Sequence, residues 1–431
     1  MSDELSTSEP QITNHGWSVA FAGMGVNLAL GILYTWSVIS KGIPEQWGWN
    51  ESDKSWPYSV ACLVFCIIMV PAGRLQDKYG PRLVAATGGL LVGLGFILAA
   101  MTTSLWGFVL AFGVLAGAGI GFGYASATPP AVKWFPAAKT GMVAGIVVSG
   151  FGLASVYAAP LAKWLMVQFG FKTMLLTLGI AFLAIITGVK PIVMMLWNGL
   201  ASILKAPPEG YVPPKTVKKK LVIVHDAENK SPLEMMRTVQ FYMIWFMYAC
   251  GAGAGLMIIA KLAAIADLQA GISLGFILVA VLALGNGGGR ILAGILSDKI
   301  GRKATMFICF VSQAAFIFLL SRADGANVLG TGPVMALLSA LIGANYGANL
   351  ALFPSITKDY YGAKNFGVNY GLVFTAWGVG GFMLAKLAGM MYVKYETFNV
   401  AYYGASAMLI LAAVMIFAVR PPKHLAEANA K

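Results

Sequence analysis

An all-α membrane protein, with twelve transmembrane helices in two pseudo-symmetric six-helix bundles, is the fold class that the sequence predicts. Three observations carry that expectation. Hydrophobic residues make up 58% of the 431 and charged residues only 11%, against about 25% charged in a soluble domain; the mean hydropathy is +0.75. Twelve apolar runs are each long enough, at roughly 20 residues, to cross a bilayer as a helix. The polar punctuation of the first half also returns in the second half.

The runs fall at about 17–42, 53–74, 82–102, 106–130, 140–164, 170–197, 238–262, 270–296, 304–322, 328–354, 366–391 and 397–419. The opening residues MSDELSTSEPQITNHG are polar and acidic. They have no basic n-region or cleavage site, so no signal peptide is expected. Residues 1–15 read as a tail, 16–197 as the first bundle, 198–236 as a linker, 237–420 as the second bundle and 421–431 as a second tail. The linker contains KAPPEGYVPPKTVKKKLVIVHDAENKSP, the one long hydrophilic segment. Its Lys218-Lys219-Lys220 run suits either anionic lipid headgroups or a solvated loop, and the solvated loop is the plainer reading.

Charge sets the orientation. Even-numbered loops and the C-terminal tail hold 21 of the 30 basic residues, the odd-numbered loops and helix ends on the other side hold 8, and the remaining one is Arg290. By the excess of Lys and Arg on the cytoplasmic side, both termini are cytoplasmic. The formal net charge of +13 does not imply nucleic acid, because the charges lie in loops between apolar runs. Cys62, Cys66, Cys250 and Cys309 all sit in apolar runs without disulfide or metal spacing, and read as packing residues. His15, His225 and His424 lie in tails or the linker. No metal, cofactor or histidine-based catalytic site is expected. No HExxH or nucleotide loop points to an enzyme, and no protein partner is implied.

GRLQDKYGPR begins at Gly73 and GILSDKIGRK at Gly294, each after the second run of its half. VKWFPAAKTGMVAGIVVSG after run 4 parallels KDYYGAKNFGVNYGLVFTA after run 10. Six runs plus six with shared punctuation indicate a duplicated unit, an arrangement common in carriers that bind substrate near the repeat interface. The repeated motif, Gly73, Leu75, Asp77, Lys78, Gly80 and Arg82, then Gly294, Leu296, Asp298, Lys299, Gly301 and Arg302, resembles the signature loop of the major facilitator superfamily. The resemblance covers nearly the whole chain. It implies that fold, alternating access, and a gate latch formed by Gly73, Asp77, Arg82, Asp298 and Arg302. A topogenic basic loop is the plainer alternative.

GNGGGRILAGILSDKIGR, ALFPSITKDYYG, KNFGVNYG and PLEMMRTVQFY resemble the oxalate/formate exchanger family and the monocarboxylate transporters. WFPAAKTGMVAGIVVSGFG resembles the fifth helix of the latter, with the loop before it. Both groups place in helix 8 an arginine that binds the substrate carboxylate, and here it is Arg290. Where the exchangers carry a helix 11 lysine, this chain has Trp377. Where eukaryotic-type monocarboxylate transporters carry an aspartate and a helix 1 lysine, it has Asn286 and Val38.

Arg290 also demands a partner on physical grounds. Its guanidinium does not deprotonate, and at a helix centre it costs about 2.5–3.5 kcal/mol on insertion scales. Asp53, Asp77 and Asp298 stand at the ends of runs, and no carboxylate lies in the middle of one. The expected mate is therefore a carboxylate from outside the chain, which suits a planar bidentate fork. Snorkelling is the competing explanation. Asp298, eight residues on, marks a depth of roughly 12 Å, far for a side chain to reach the headgroups.

The resemblance implies that helices 1, 4, 7 and 10 line the cavity, which singles out Tyr34, Tyr124, Tyr346 and Asn349 as substrate contacts. Asn286, one turn before Arg290, shares its face. Asn27 and Phe374 complete the candidate set. Each of these is equally a packing residue or a helix–helix hydrogen bond. The glycines of GNGGGR suit a kink or, preferably, close packing. The expected function is secondary transport of one small monocarboxylate, L-lactate or pyruvate, across a plasma or bacterial inner membrane. Coupling to protons follows from the resemblance, with the proton arriving on the substrate or at Asp77 or Asp298. Exchange of two carboxylates, as in oxalate/formate antiport, is the alternative.

Overall fold

The computed structural model of the chain describes residues 14–135, 137–188, 199–208, 211, 229–362 and 365–420. The side chains of Asp77, Asp298 and residues 137–141 lie outside the described residues, as do 1–13, 421–431 and most of the linker with its lysine run. Among the described residues all regular structure is helical.

The spans are α1 (Gly16–Lys41), α2 (Trp56–Tyr79), α3 (Pro81–Ala100) and α4 (Leu105–Lys133). Next comes a single run, Ala137–Thr187, whose apolar part of 46 residues (Met142–Thr187) would measure about 69 Å as one rod. That is more than twice the roughly 30 Å hydrocarbon core. Gly170 breaks it, with φ 82° and ψ 166°, giving α5 (137–169) and α6 (171–187). The second half supplies α7 (Val239–Ala270), α8 (Gly275–Ile300), α9 (Arg302–Leu320), α10 (Gly332–Tyr361), α11 (Phe366–Tyr395) and α12 (Asn399–Ala418). Each of the twelve expected runs contains a described helix. The sixth was expected to reach 197. Its described helix stops at Thr187, and 189–198 fall outside the described residues.

Twelve crossings put the start of α1 and the end of α12 at one end of the bundle, called here the near end; the α1–α2 connection lies at the far end. The repeat is visible in the backbone. Gly80 (φ 85°, ψ 159°) and Gly301 (φ 90°, ψ 157°) make the same turn after α2 and α8, in a region of φ/ψ that essentially only glycine visits. The two halves meet through α2 against α11 and α5 against α8, pairs that the repeat exchanges. The far end of α1 also packs on α7. Large apolar side chains left exposed, among them Leu110, Leu292 and Phe417, lie on the outer surfaces of the spans, as lipid contact requires.

Candidate functional site

α8 carries Arg290 into the interface because its glycines let neighbours come close. An added Cβ on Gly285 or Gly289 would collide with the carbonyls of Ala340 and Ala344 on α10. One on Gly343 or Gly347 would collide with those of Leu282 and Asn286 on α8. Two such glycine pairs, each four residues apart, bring the helix backbones together. Close packing is thus the role of these glycines, and α8 runs on unbroken to Ile300.

Arg290 is 6% exposed. Its Nε donates to Asn286 Oδ1 at 3.1 Å, and its Nη1 donates across the interface to the Val148 carbonyl of α5 at 2.8 Å. Nη2 is buried without a partner, and so is Asn286 Nδ2. Among the described residues no carboxylate pairs with it. Gly152 gives the guanidinium its berth: a Cβ there would stand 3.2–3.3 Å from Nη2, Cζ and Nε. Asn27 of α1 binds the adjacent carbonyl, its Nδ2 donating to Val147 at 2.8 Å. Asn27 and Arg290 therefore hold consecutive carbonyls of α5.

Aromatic rings from both halves enclose this space. A 3₁₀ turn inside α1, Gly31–Thr35, carries Tyr34. The Tyr34 hydroxyl lies 2.5 Å from that of Tyr346 on α10, and Trp377 Nε1 donates to the Tyr346 oxygen at 2.7 Å. The Tyr34 ring meets Phe151 edge-on at 4.9 Å. Tyr124 lies over Phe374 at 6.0 Å, and Phe374 stacks on Trp377 at 5.2 Å. Phe65 touches both Phe374 and Trp377 across the interface. Arg290 is within electrostatic reach of Tyr34, Tyr124 and Tyr370. The result is one cation and two spare donors beside an apolar wall, able to hold a small planar anion and reject a bulky one.

Of the candidate contacts, Asn286, Tyr34, Tyr124, Tyr346, Phe374 and Asn27 gather around Arg290 in this way. Asn349 does not. Its Nδ2 donates to the Asn345 carbonyl at 3.1 Å and reaches Gln313 Oε1 at 3.5 Å, and it packs against Gly251, so it faces α9 and α7 inside the second half. It stands about 60° around α10 from Tyr346, and that offset turns it from the interface towards Gln313 and Gly251.

The signature residues separate likewise. Arg302 donates from Nε to Asp359 Oδ2 at 3.2 Å and also bonds Ser297 Oγ, linking α9 to α10 and α8 within one half. Gly73 has open space around it, and Arg82 is exposed. The side chains of Asp77 and Asp298 are outside the described residues.

Sequence reasoning missed the Val148 carbonyl, Gly152 and the hydrogen bond of Trp377. It also counted Lys261 among the basic residues of loops and helix ends. Lys261 is 2% exposed within α7 and is a second buried cation. Among the described residues no group of His, Cys, Asp or Glu is arranged to hold a metal, and the four cysteines are buried thiols.

The model of the Major Facilitator Superfamily matches residues 16–291 and 242–431. Similar proteins include an uncharacterized MFS-type transporter of Escherichia coli (strain K12), 29% identical over 84% of this chain and 85% of its own length. The oxalate:formate antiporter of Oxalobacter formigenes is 28% identical over 80% of this chain and 77% of its own. Monocarboxylate transporter 11 of Homo sapiens is 25% identical over 93% and 82%. Among solved structures, a bacterial homologue of the human lysosomal transporter Spinster, inward-facing and unoccupied, matches with a TM-score of 0.66 at 15% identity. The match covers 94% of this chain and 97% of that one, and shows the fold alone.

Proposed function

The chain belongs to the major facilitator superfamily, and we propose that it is a secondary carrier of a small monocarboxylate, with L-lactate or pyruvate the substrate and a proton its companion. The observation that carries this reading is the state of Arg290: buried, bonded only to neutral oxygens, with Nη2 and the neighbouring Asn286 Nδ2 unpartnered. A buried cation without an acid is expensive unless another anion completes it. A carboxylate accepting from Nη2 and Asn286 Nδ2 satisfies both donors. The tyrosine hydroxyls stand beside them for a 2-hydroxyl or 2-keto oxygen. Trp377, already bonded to Tyr346, supplies no second charge, which favours one carboxylate over two.

The bundles 16–197 and 237–420 rock about the α2–α11 and α5–α8 contacts, joined by the 198–236 linker. Arg290 bonds Val148 across the second of these contacts, so neutralising the guanidinium weakens its hold on α5 and links occupancy to the swing. The near end faces the cytoplasm of a bacterial cell, as the basic residues direct. Asp77, Arg82, Gly73, Asp298 and Arg302 serve its gate.

The test is uptake of labelled mono- and dicarboxylates into proteoliposomes, with and without a pH gradient. Arg290→Ala and Arg290→Lys should abolish uptake while the protein still purifies as a folded monodisperse species. Full uptake by Arg290→Ala sinks the reading. Counterflow without net uptake, indifferent to the gradient, replaces symport with exchange.

A further inference from the structure

The far end holds a second ionic centre. The Lys261 ammonium donates to Glu51 Oε2 at 3.0 Å and to the Glu51 backbone carbonyl at 2.9 Å. Lys54 holds the other carboxylate oxygen, Oε1, at 3.2 Å. Glu51 belongs to the α1–α2 connection and Lys261 to α7, so the pair joins the two halves. Beside it Lys386 of α11 donates to the Ser52 carbonyl at 2.9 Å and to its hydroxyl at 2.7 Å. The Lys386 ammonium sits 4.1 Å from the centre of a Trp56 ring. Gly389 of α11 lacks the Cβ that would strike Ser55 and the Glu51 carbonyl, which lets the connection seat closely.

The ownership of the charges matters. The ionic groups acting on Lys261 are Glu51 and Lys54, both from the connection. Those acting on Lys386 are Asp53, from the same connection, and Lys261. Among the described residues no carboxylate of the second half acts on either lysine. At this junction the second half thus presents two cations and the first half supplies their counter-ions; another ion pair across the far end has the reverse polarity, Lys41 of α1 meeting Asp267 of α7 at 2.9 Å. Parting the halves at this end, as a carrier must, withdraws Glu51 and Asp53 and leaves Lys261 and Lys386 facing the opening.

We propose that Lys261, with Lys386 beside it, is an entry site for small carboxylates at the far mouth, and that Glu51 occupies it whenever that mouth is shut. The inference rests on the carboxylate-carrier reading and on the far end lying outside the cell. A partly buried patch of one sign of charge, as Lys261 and Lys386 form, concentrates the opposite ion. An anion arriving as Glu51 leaves keeps the Lys261 charge compensated throughout. The arriving substrate and Glu51 are then competitors for one ammonium. A simple latch would need only the attraction between Glu51 and Lys261.

That difference is measurable in the full-length protein in proteoliposomes. With Glu51→Cys, and the parent chain as blank, a sulfonate-bearing methanethiosulfonate should modify the new thiol on the order of tenfold faster than a trimethylammonium one. L-lactate or acetate should slow the anionic reagent. Lys261→Met in that background should abolish both preference and protection, and Lys261→Arg should keep them. Equal rates for the two reagents, or no protection by either carboxylate, overturn the site. These rates need no transport, so they stand or fall apart from the test of Arg290. In uptake from the far side, Glu51→Gln should lower KM and Lys261→Met should raise it. A shift of both in the same direction reduces Lys261 to a latch.

Discussion

Arg290 and Lys261 are both buried cations, 6% and 2% exposed, and the chain treats them oppositely. Lys261 receives a full carboxylate from the other half. Arg290 receives a carbonyl and an amide oxygen, and keeps one terminal nitrogen idle. The side-chain types fit the division. An ammonium is a compact point charge that a single acid can satisfy, whereas a guanidinium is a fork that binds a carboxylate through two parallel bonds. A buried charge that the protein neutralises by itself fastens the structure. One that it leaves open is, in the proposed carrier, the place for a guest.

The sharpest way to break this contrast is to exchange the two chemistries. Arg290→Lys keeps the charge but loses the fork, and Arg290→Ala loses both. A charge-assisted hydrogen bond is worth about 1.5–3 kcal/mol, so losing the one that Nη2 offers lowers carboxylate affinity by about tenfold or more, read as labelled-substrate binding. Lys261→Arg retains the tie to Glu51 and should retain most of the uptake. If Arg290→Lys transports as well as Lys261→Arg, the two cations are equivalent and the contrast fails.

A smaller effect tests the berth instead of the charge. Gly152→Ala places a methyl 3.2–3.3 Å from the guanidinium, tight enough to displace it by a few tenths of an ångström. Overpacking of this kind costs about 1 kcal/mol, so KM should rise near fivefold with the Arg290 charge intact. The matching glycine next to the far tie is Gly389, where any Cβ would strike the α1–α2 connection. An unchanged KM for Gly152→Ala would mean that Arg290 moves freely, and that its bond to Val148 does not position it.

How far the sequence revealed these two centres depends on what each is made of. Apolar length is a one-dimensional property, so twelve spans and the duplicated loops were legible. So was Arg290, because a guanidinium in an apolar run has few explanations. Lys261 was not, since a lysine toward a helix end looks like any interfacial lysine until depth is known, and Glu51 sits in a loop of ordinary polar residues. Backbone acceptors such as the Val148 carbonyl have no letter of their own. The nearest signal was the glycine pair of VSGFG, whose Gly152 now faces the guanidinium. Asn349 was misplaced because α10 is buried on several faces, which leaves helical phase undetermined by hydrophobicity alone.

Valence gives the next test. With Trp377 bonded to Tyr346 and Arg290 the one cation at the proposed central site among the described residues, oxalate should compete with L-lactate only a few-fold less than monocarboxylates of its size do. The discrimination is modest because a second carboxylate left partly hydrated loses a salt bridge worth about 1 kcal/mol at most. Strong oxalate competition would mean that a second cation reaches the cavity, with the entry-site lysines the first to examine by Lys261→Met.

The smallest expected effect is at the far tie, as pH changes. Burial pushes the Glu51 carboxyl up, but Lys261 and Lys54 outweigh it and hold the group below its ordinary 4.5. Lys386, Asp53, Tyr392 and Glu396 are further ionisable groups around this junction. A lowered carboxyl value means that the tie is fully present above 4.5 and is lost only as pH falls through the lower, folded value. Spin labels on the α1–α2 connection and the far end of α11 should therefore report one unchanging distance from about pH 8 to pH 5, then a lengthening in stronger acid. A transition near neutrality would mean that Glu51 gives up its charge where protons drive uptake, which would merge the fastening cation with the transporting one. A flat profile keeps them separate and, under the symport proposal, leaves the proton to travel with the carboxylate or through the signature-loop aspartates.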